Sequence, residues 1–185
     1  MPLKTKPKSP ISPLPSLHGR KITPMRLAKD VLLLMDSEKF INVSRGYGYV
    51  SELRNFFPSF RWGSPRPDLK EKLLSAPAQK CRVCAIGALF IAHVLREDRC
   101  RFNTDFGKSE IVLQLANVFS ASQLNLIEAA FECWHSPMRA NPELVVATNF
   151  GLRHGTDPKD RLRAIMQNIV DNRGTFRPEP KLRVV

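Results

Sequence analysis

No stretch of the chain is apolar over the ~18–20 residues that a membrane-spanning helix needs. Nor does its start hold the ~7–15-residue apolar run and small-residue cleavage site of a secretory signal. An organelle transit peptide is basic and acid-poor, as this start is. Six prolines within residues 1–24 (Pro2, Pro7, Pro10, Pro13, Pro15 and Pro24) nevertheless break the amphipathic helix such a peptide forms. A cytosolic or nuclear protein without a membrane partner is expected. A phosphate-cradling G-x-x-x-x-G-K-[ST] loop is lacking, and Gly46-Tyr47-Gly48 is too little to replace it. Residues 119–132 have the look of a helix entering an EF-hand, yet no D-x-[DN]-x-[DN]-G loop follows, so calcium has no ligands there. No internal repeat is present, and no β-type alternation is as long as the helical patterns below.

Acids are missing where bases are dense. The chain carries 29 Lys and Arg against 17 Asp and Glu, a net +12. Residues 1–24 supply +5 through Lys4, Lys6, Lys8, Arg20 and Lys21 with no acid, and residues 177–185 supply +2. The remaining +5 is spread over residues 25–176, so the positive field is concentrated at the ends. With 185 residues, 43% hydrophobic and 25% charged, the chain suits one globular domain. The expected division is a disordered Pro/Lys-rich basic arm over 1–23, one helical domain over 24–176 and a basic tail over 177–185.

Helical punctuation is frequent. Thr23 is placed to cap a helix that Pro24 starts, with Met25, Ala28, Val31, Leu32 and Met35 at helical spacing and an end near Asp36. Residues 40–66 are irregular, with a short helix over 50–57 or a hairpin as alternatives. Further helices are predicted over 67–75, 80–96, 110–119 with Ser109 as cap, 121–134 with a Ser120/Gln123 capping box, and 142–150 opened by Asn141-Pro142. The helix over 80–96 is apolar on nearly every side, the mark of a central buried element. In the last helix Asp157 caps, Pro158 starts, Leu162, Ile165, Met166, Ile169 and Val170 face inward, and Gly174 follows the end. The fold class is all-α: a compact bundle of six or seven helices.

Four cysteines are present, and Cys81-Arg82-Val83-Cys84 has the spacing of a chelate or a redox dithiol. Cys133-Trp134-His135 supplies two further ligand types, making Cys81, Cys84, Cys133 and His135 the zinc alternative. That is half of a strong motif, with its other half ~50 residues away on another helix. Pro77-Ala78-Gln79-Lys80 is also not the strand a thioredoxin-like motif needs. Packing of Cys84 and Cys133 as small buried hydrophobes is therefore preferred, with no metal and no cofactor expected. Cys81 would lie in a first helical turn beside Lys80 and Arg82, a setting that favours thiolate. His93 lies nine residues and ~13 Å beyond Cys84 on one helix, too far to act as its base, and reads as a core or boundary histidine. His154 reads as a loop residue, His18 as part of the arm, and Glu128 and Glu132 as i,i+4 neighbours on an amphipathic face. No catalytic residue is expected.

The most informative cluster is Arg54-Asn55-Phe56-Phe57-Pro58-Ser59-Phe60-Arg61-Trp62-Gly63-Ser64-Pro65-Arg66. Arginines interleaved with Phe and Trp stack bases and hold phosphate in single-strand binders. The same side chains dominate protein interfaces, and they also serve simply to cover a helical core. Trp62, where helical patterning fails, is expected to be partly exposed.

Three segments carry a resemblance. Cys84-Ala85-Ile86-Gly87-Ala88-Leu89 is followed by residues 119–124 (Phe119-Ser120-Ala121-Ser122-Gln123-Leu124) running into Ile127-Glu128-Ala129-Ala130-Phe131-Glu132. Ile165-Met166-Gln167-Asn168-Ile169-Val170 with Gly174-Thr175-Phe176 is the third. Together, over residues 80–177, they resemble small uncharacterised proteins of phage and prophage origin. The resemblance implies a mobile-element accessory protein in a bacterial cytoplasm and implies no activity. The function expected is binding without catalysis. Nucleic acid is the first partner, through Lys4, Lys6, Lys8, Arg20, Lys21, Arg54, Phe60, Arg61, Trp62 and Arg66. The alternatives are an inhibitor or adaptor that binds a host protein, and a cysteine-dependent zinc or redox protein.

Overall fold

The structure is a computed structural model that describes residues 22–36, 42–43, 82–96, 108–133 and 141–179. Among them are six α-helices: α1 Pro24–Asp36, α2 Ala85–Arg96, α3 Lys108–Leu115, α4 Ala121–Glu132, α5 Pro142–Arg153 and α6 Pro158–Asp171. The protein is all-α; among the described residues the only β structure is a two-residue parallel pairing, β1 Asn42–Val43 with β2 Arg82–Val83, in which Asn42 faces Arg82 and Val43 faces Val83. Residues 1–21 of the basic arm, residues 50–57, where a short helix or a hairpin was expected, and the helix expected over 67–75 lie outside the described residues.

Helix starts follow the side chains that cap them. The Thr23 hydroxyl accepts from the Arg26 N–H at 3.3 Å and its carbonyl from Leu27 at 3.0 Å, ahead of Pro24. Asp157 accepts from the Lys159 N–H at 2.8 Å, and Asn141 from the Glu143 N–H at 3.0 Å, each followed by a proline. These contacts satisfy N–H groups that the first helical turn leaves without a partner. Helix α6 ends in a Schellman motif. The Gly174 N–H reaches the Ile169 carbonyl at 2.7 Å and the Arg173 N–H reaches Val170 at 3.1 Å, with φ of +56° at Arg173 and +102° at Gly174.

Four boundaries differ from the sequence reading. Helix α2 begins at Ala85 instead of residue 80, because Arg82 and Val83 are drawn into the pairing with β1. Helix α3 spans Lys108–Leu115, which places Ser109 inside it instead of at its cap. Helix α4 stops at Glu132, since Cys133 takes the left-handed conformation (φ +53°, ψ +45°) and its N–H closes on the Ala129 carbonyl. Helix α5 runs to Arg153, three residues past the expected end.

The core is one cluster. All twelve residues of α2 are buried, and α2 touches α1, α3 and α4. Helix α1 packs along α6, and α4 packs along α5 so closely that a Cβ on Gly151 would fall 1.8 Å from the Ala130 carbonyl oxygen. The chain after α6 is pinned as an extended segment. Gln123 Oε1 accepts from the Phe176 N–H at 2.6 Å while its Nε2 donates to the Phe176 carbonyl at 3.3 Å. Asn168 does the same for Arg177, at 2.8 and 2.7 Å. Two amide side chains thus act as short strand partners, and Phe176 is held in the core at 1% exposure.

Candidate functional site

None of the ten side chains expected to bind a partner falls among the described residues. Of the zinc alternative, Cys84 and Cys133 are described, whereas Cys81 and His135 are not. Cys84 sits at the N-cap of α2, where its Sγ accepts from the Gly87 N–H at 3.5 Å and its carbonyl from Ala88 at 2.9 Å. Burial pushes the Cys84 thiol up from its ordinary value. The carboxylates of Glu132 and Glu128 push the same way, and hydrogen bonds from the backbone of Gly87 and Ile86 only partly oppose them. A protonated thiol is a poor nucleophile, so the helix N-terminus does not activate this one. Cys133 is buried, its Sγ donates to the Ala130 carbonyl at 3.4 Å, and a Cβ on Gly151 would approach it to 2.8 Å. Both sulfurs are parts of helix junctions. Among the described residues no group of three or more His, Cys, Asp or Glu side chains is arranged to hold a metal ion.

A groove of about 650 Å³ runs along α6, walled by Leu32 and Asp36 of α1 and by Phe150 and His154 at the end of α5. Its floor carries Asp160, Arg163, Gln167, Asn168 and Asp171. Arg163 donates to Asp36 at 2.7 Å, and Gln167 donates to Asp171 at 2.8 Å. The ring of His154 lies 4.3 Å from that of Phe150, with Nδ1 2.7 Å from the Phe150 carbonyl oxygen, so this nitrogen carries the hydrogen. Three carboxylates against one guanidinium make the lining unsuitable for a polyanion.

Two buried arginines were not singled out by sequence reasoning. Arg96, at the end of α2, clasps both carboxylate oxygens of Asp30 on α1: Nη2 lies 2.6 Å from Oδ1, and Nε donates to Oδ2. Arg26 adds a second positive charge 3.7 Å from Asp30. Arg161 is fully buried in α6, donates from Nη1 to the Gly155 carbonyl at 3.3 Å and stands 5.9 Å from the centre of the Phe131 ring. The signal for both ends was positional. Asp30 falls three residues after Leu27 and four before Leu34, and Arg161 four before Ile165, so each charge occupies the apolar stripe of its helix.

Charge is divided unevenly across the chain. The described residues hold 11 Lys and Arg against 10 Asp and Glu, whereas the remaining residues hold 18 against 7. The described residues are therefore close to neutral, at +1 of the total +12.

No family model matches the chain, and neither a curated protein nor a solved structure does.

Proposed function

We propose that the protein acts by binding rather than catalysis and that its partner is single-stranded nucleic acid, in the setting of a phage or mobile-element accessory protein in the host cytoplasm. The observation that carries this reading is the distribution of charge along the sequence: residues 1–24 supply +5 with no acid, as much as all of residues 25–176. A basic segment without acids suits a phosphate backbone, where each neutralised phosphate releases counterions. The contacts fall to Lys4, Lys6, Lys8, Arg20 and Lys21, with Arg54, Arg61 and Arg66 on phosphate and Phe60 and Trp62 stacking on bases. Within the frame the carboxylates serve structure: Asp30 holds Arg96, Asp36 holds Arg163 and Asp157 starts α6.

Fluorescence anisotropy with dye-labelled single-stranded DNA and RNA over a salt series tests the reading. The expected result is micromolar or weaker, sequence-tolerant binding, with log K falling against log salt by about 0.7 for each phosphate contact. The double variant Arg61→Ala, Trp62→Ala should weaken binding at least several-fold and leave the melting temperature nearly unchanged. Absence of binding at low salt would overturn the nucleic-acid assignment and leave a host protein as the partner, to be sought by pull-down.

A further inference from the structure

The hydrogen-bond donors that line the groove along α6 are engaged, whereas several of its acceptors are open. Arg163, the one Lys or Arg among the lining residues, is turned to Asp36. Gln167 Nε2 donates to Asp171, Asn168 Nδ2 to the Arg177 carbonyl and His154 Nδ1 to the Phe150 carbonyl. Among the described residues Asp160 has no ion-pair or hydrogen-bond partner, and Asp36 and Asp171 use one carboxylate oxygen each in the contacts above. Leu32, Phe150 and Ala164 supply apolar surface beside these acids. Such a lining fits an extended segment that alternates basic and apolar residues, because successive side chains of an extended chain point to opposite sides.

The chain itself brings such a segment to this place. After α6, three successive residues meet the margin of the groove. The Phe176 ring packs edge-on against that of Phe150 with 5.3 Å between centres, and Arg177 pairs through its backbone with Asn168. The Pro178 carbonyl then accepts from Arg153, the residue before His154, at 3.4 Å. The sequence after Glu179 reads Pro180-Lys181-Leu182-Arg183-Val184, two bases and two apolar side chains in alternation. Extended, these five residues reach ~17 Å, and the eleven helical steps from Asp160 to Asp171 also measure ~17 Å. We propose that residues 180–184 occupy the groove, with Lys181 and Arg183 on its carboxylates, Asp160 foremost, and Leu182 and Val184 on its apolar walls. The tether makes docking an intramolecular step, so contacts too weak to hold a free peptide suffice. A basic peptide of another protein has to displace the tail to enter. The dock does not depend on the nucleic-acid reading, which assigns no contact to these residues.

Carbodiimide cross-linking of the full-length protein, read by mass spectrometry of its peptides, tests the dock, because it joins a lysine amine to a carboxylate only where the two touch. The expected product links Lys181 to Asp160, Asp36 or Asp171 within one chain, and Arg183→Glu should lower its yield several-fold. A yield no higher than that of Lys181 with Glu143, an exposed acid outside the groove, overturns the proposal. So do links to the groove from Lys4, Lys6, Lys8 or Lys21 in place of Lys181, and links between copies in a mixture of isotope-labelled and unlabelled protein. NMR gives a second reading on the same full chain. In the variant Lys181→Glu, Arg183→Glu the signals of Leu32 and Ala164 should move while those of Leu113 on α3 stay in place, and unmoved Leu32 and Ala164 signals would also overturn the dock.

Discussion

Taking a carboxylate and a guanidinium out of water costs several kcal/mol per ion, so a buried pair is worth keeping only if every oxygen and hydrogen is well placed. Asp30 and Arg96 are joined by two hydrogen bonds along one edge, which engage both carboxylate oxygens, with Arg26 nearby. The pair also joins the middle of α1 to the last turn of α2, so it fixes how these helices sit along each other. Removing one partner leaves the other charge buried. We therefore expect Asp30→Ala to lose about 3–5 kcal/mol in urea unfolding. Replacing both groups by apolar side chains, as Asp30→Leu with Arg96→Met, should recover most of that loss. A double variant as unstable as the single one would show that the pair itself, and not the unpaired charge, carries the stability. At this scale the sequence was least legible. A charge on an apolar stripe can be seen without a structure, but its partner, 66 residues away, cannot. Gln123 was legible only in part. Ser120 does accept from the Gln123 N–H at 3.2 Å, as a capping box requires, but the glutamine side chain goes to Phe176 instead of returning to the cap.

Helices were legible in proportion to how locally they are specified. Helices α1 and α6 begin where Thr23-Pro24 and Asp157-Pro158 place a capping oxygen beside a residue with a fixed φ and no N–H to satisfy. Helix α2 is apolar on all sides, so its periodicity marks no start, and its true beginning depends on a pairing with residues 42–43 some forty positions earlier. The α4–α5 contact was not legible at all, since Gly151 reads as an ordinary weak helix residue until the Ala130 backbone is seen against it. An added methyl at Gly151 must push two backbones apart, because the nearest atom is a carbonyl oxygen rather than a movable side-chain tip. Gly155 offers the contrast: nothing lies within 4 Å of its would-be Cβ, and only its φ of +100° opposes a side chain. Gly151→Ala is expected to lose about 3 kcal/mol or more by overpacking, and Gly155→Ala about 1–2 kcal/mol by backbone strain. Chemical denaturation of the two variants side by side checks the order. The reverse order would mean that α4 and α5 can separate without penalty.

Across the whole molecule, positive charge is densest at the two ends of the sequence. The sequence reading placed +5 on the helical domain as a whole, and the described residues carry +1, with 11 Lys and Arg against 10 Asp and Glu. The arm adds five positive charges and no acid; among the described residues Thr23 caps α1 and Leu27 is the first fully buried side chain. Deleting residues 1–21 while keeping Ile22, which packs on the core, should accordingly change the melting temperature by no more than about 2 °C, the range of surface changes. The same deletion should reduce the slope of log K against log salt by up to about 3–4, one contribution for each lost positive charge. Calorimetry and a two-salt anisotropy measurement on one preparation read both quantities. A fall in melting temperature of more than about 5 °C would mean that the arm packs on the helices instead of reaching a partner. An unchanged salt slope would move the phosphate contacts to the other basic segments, Arg54, Arg61 and Arg66 first among them.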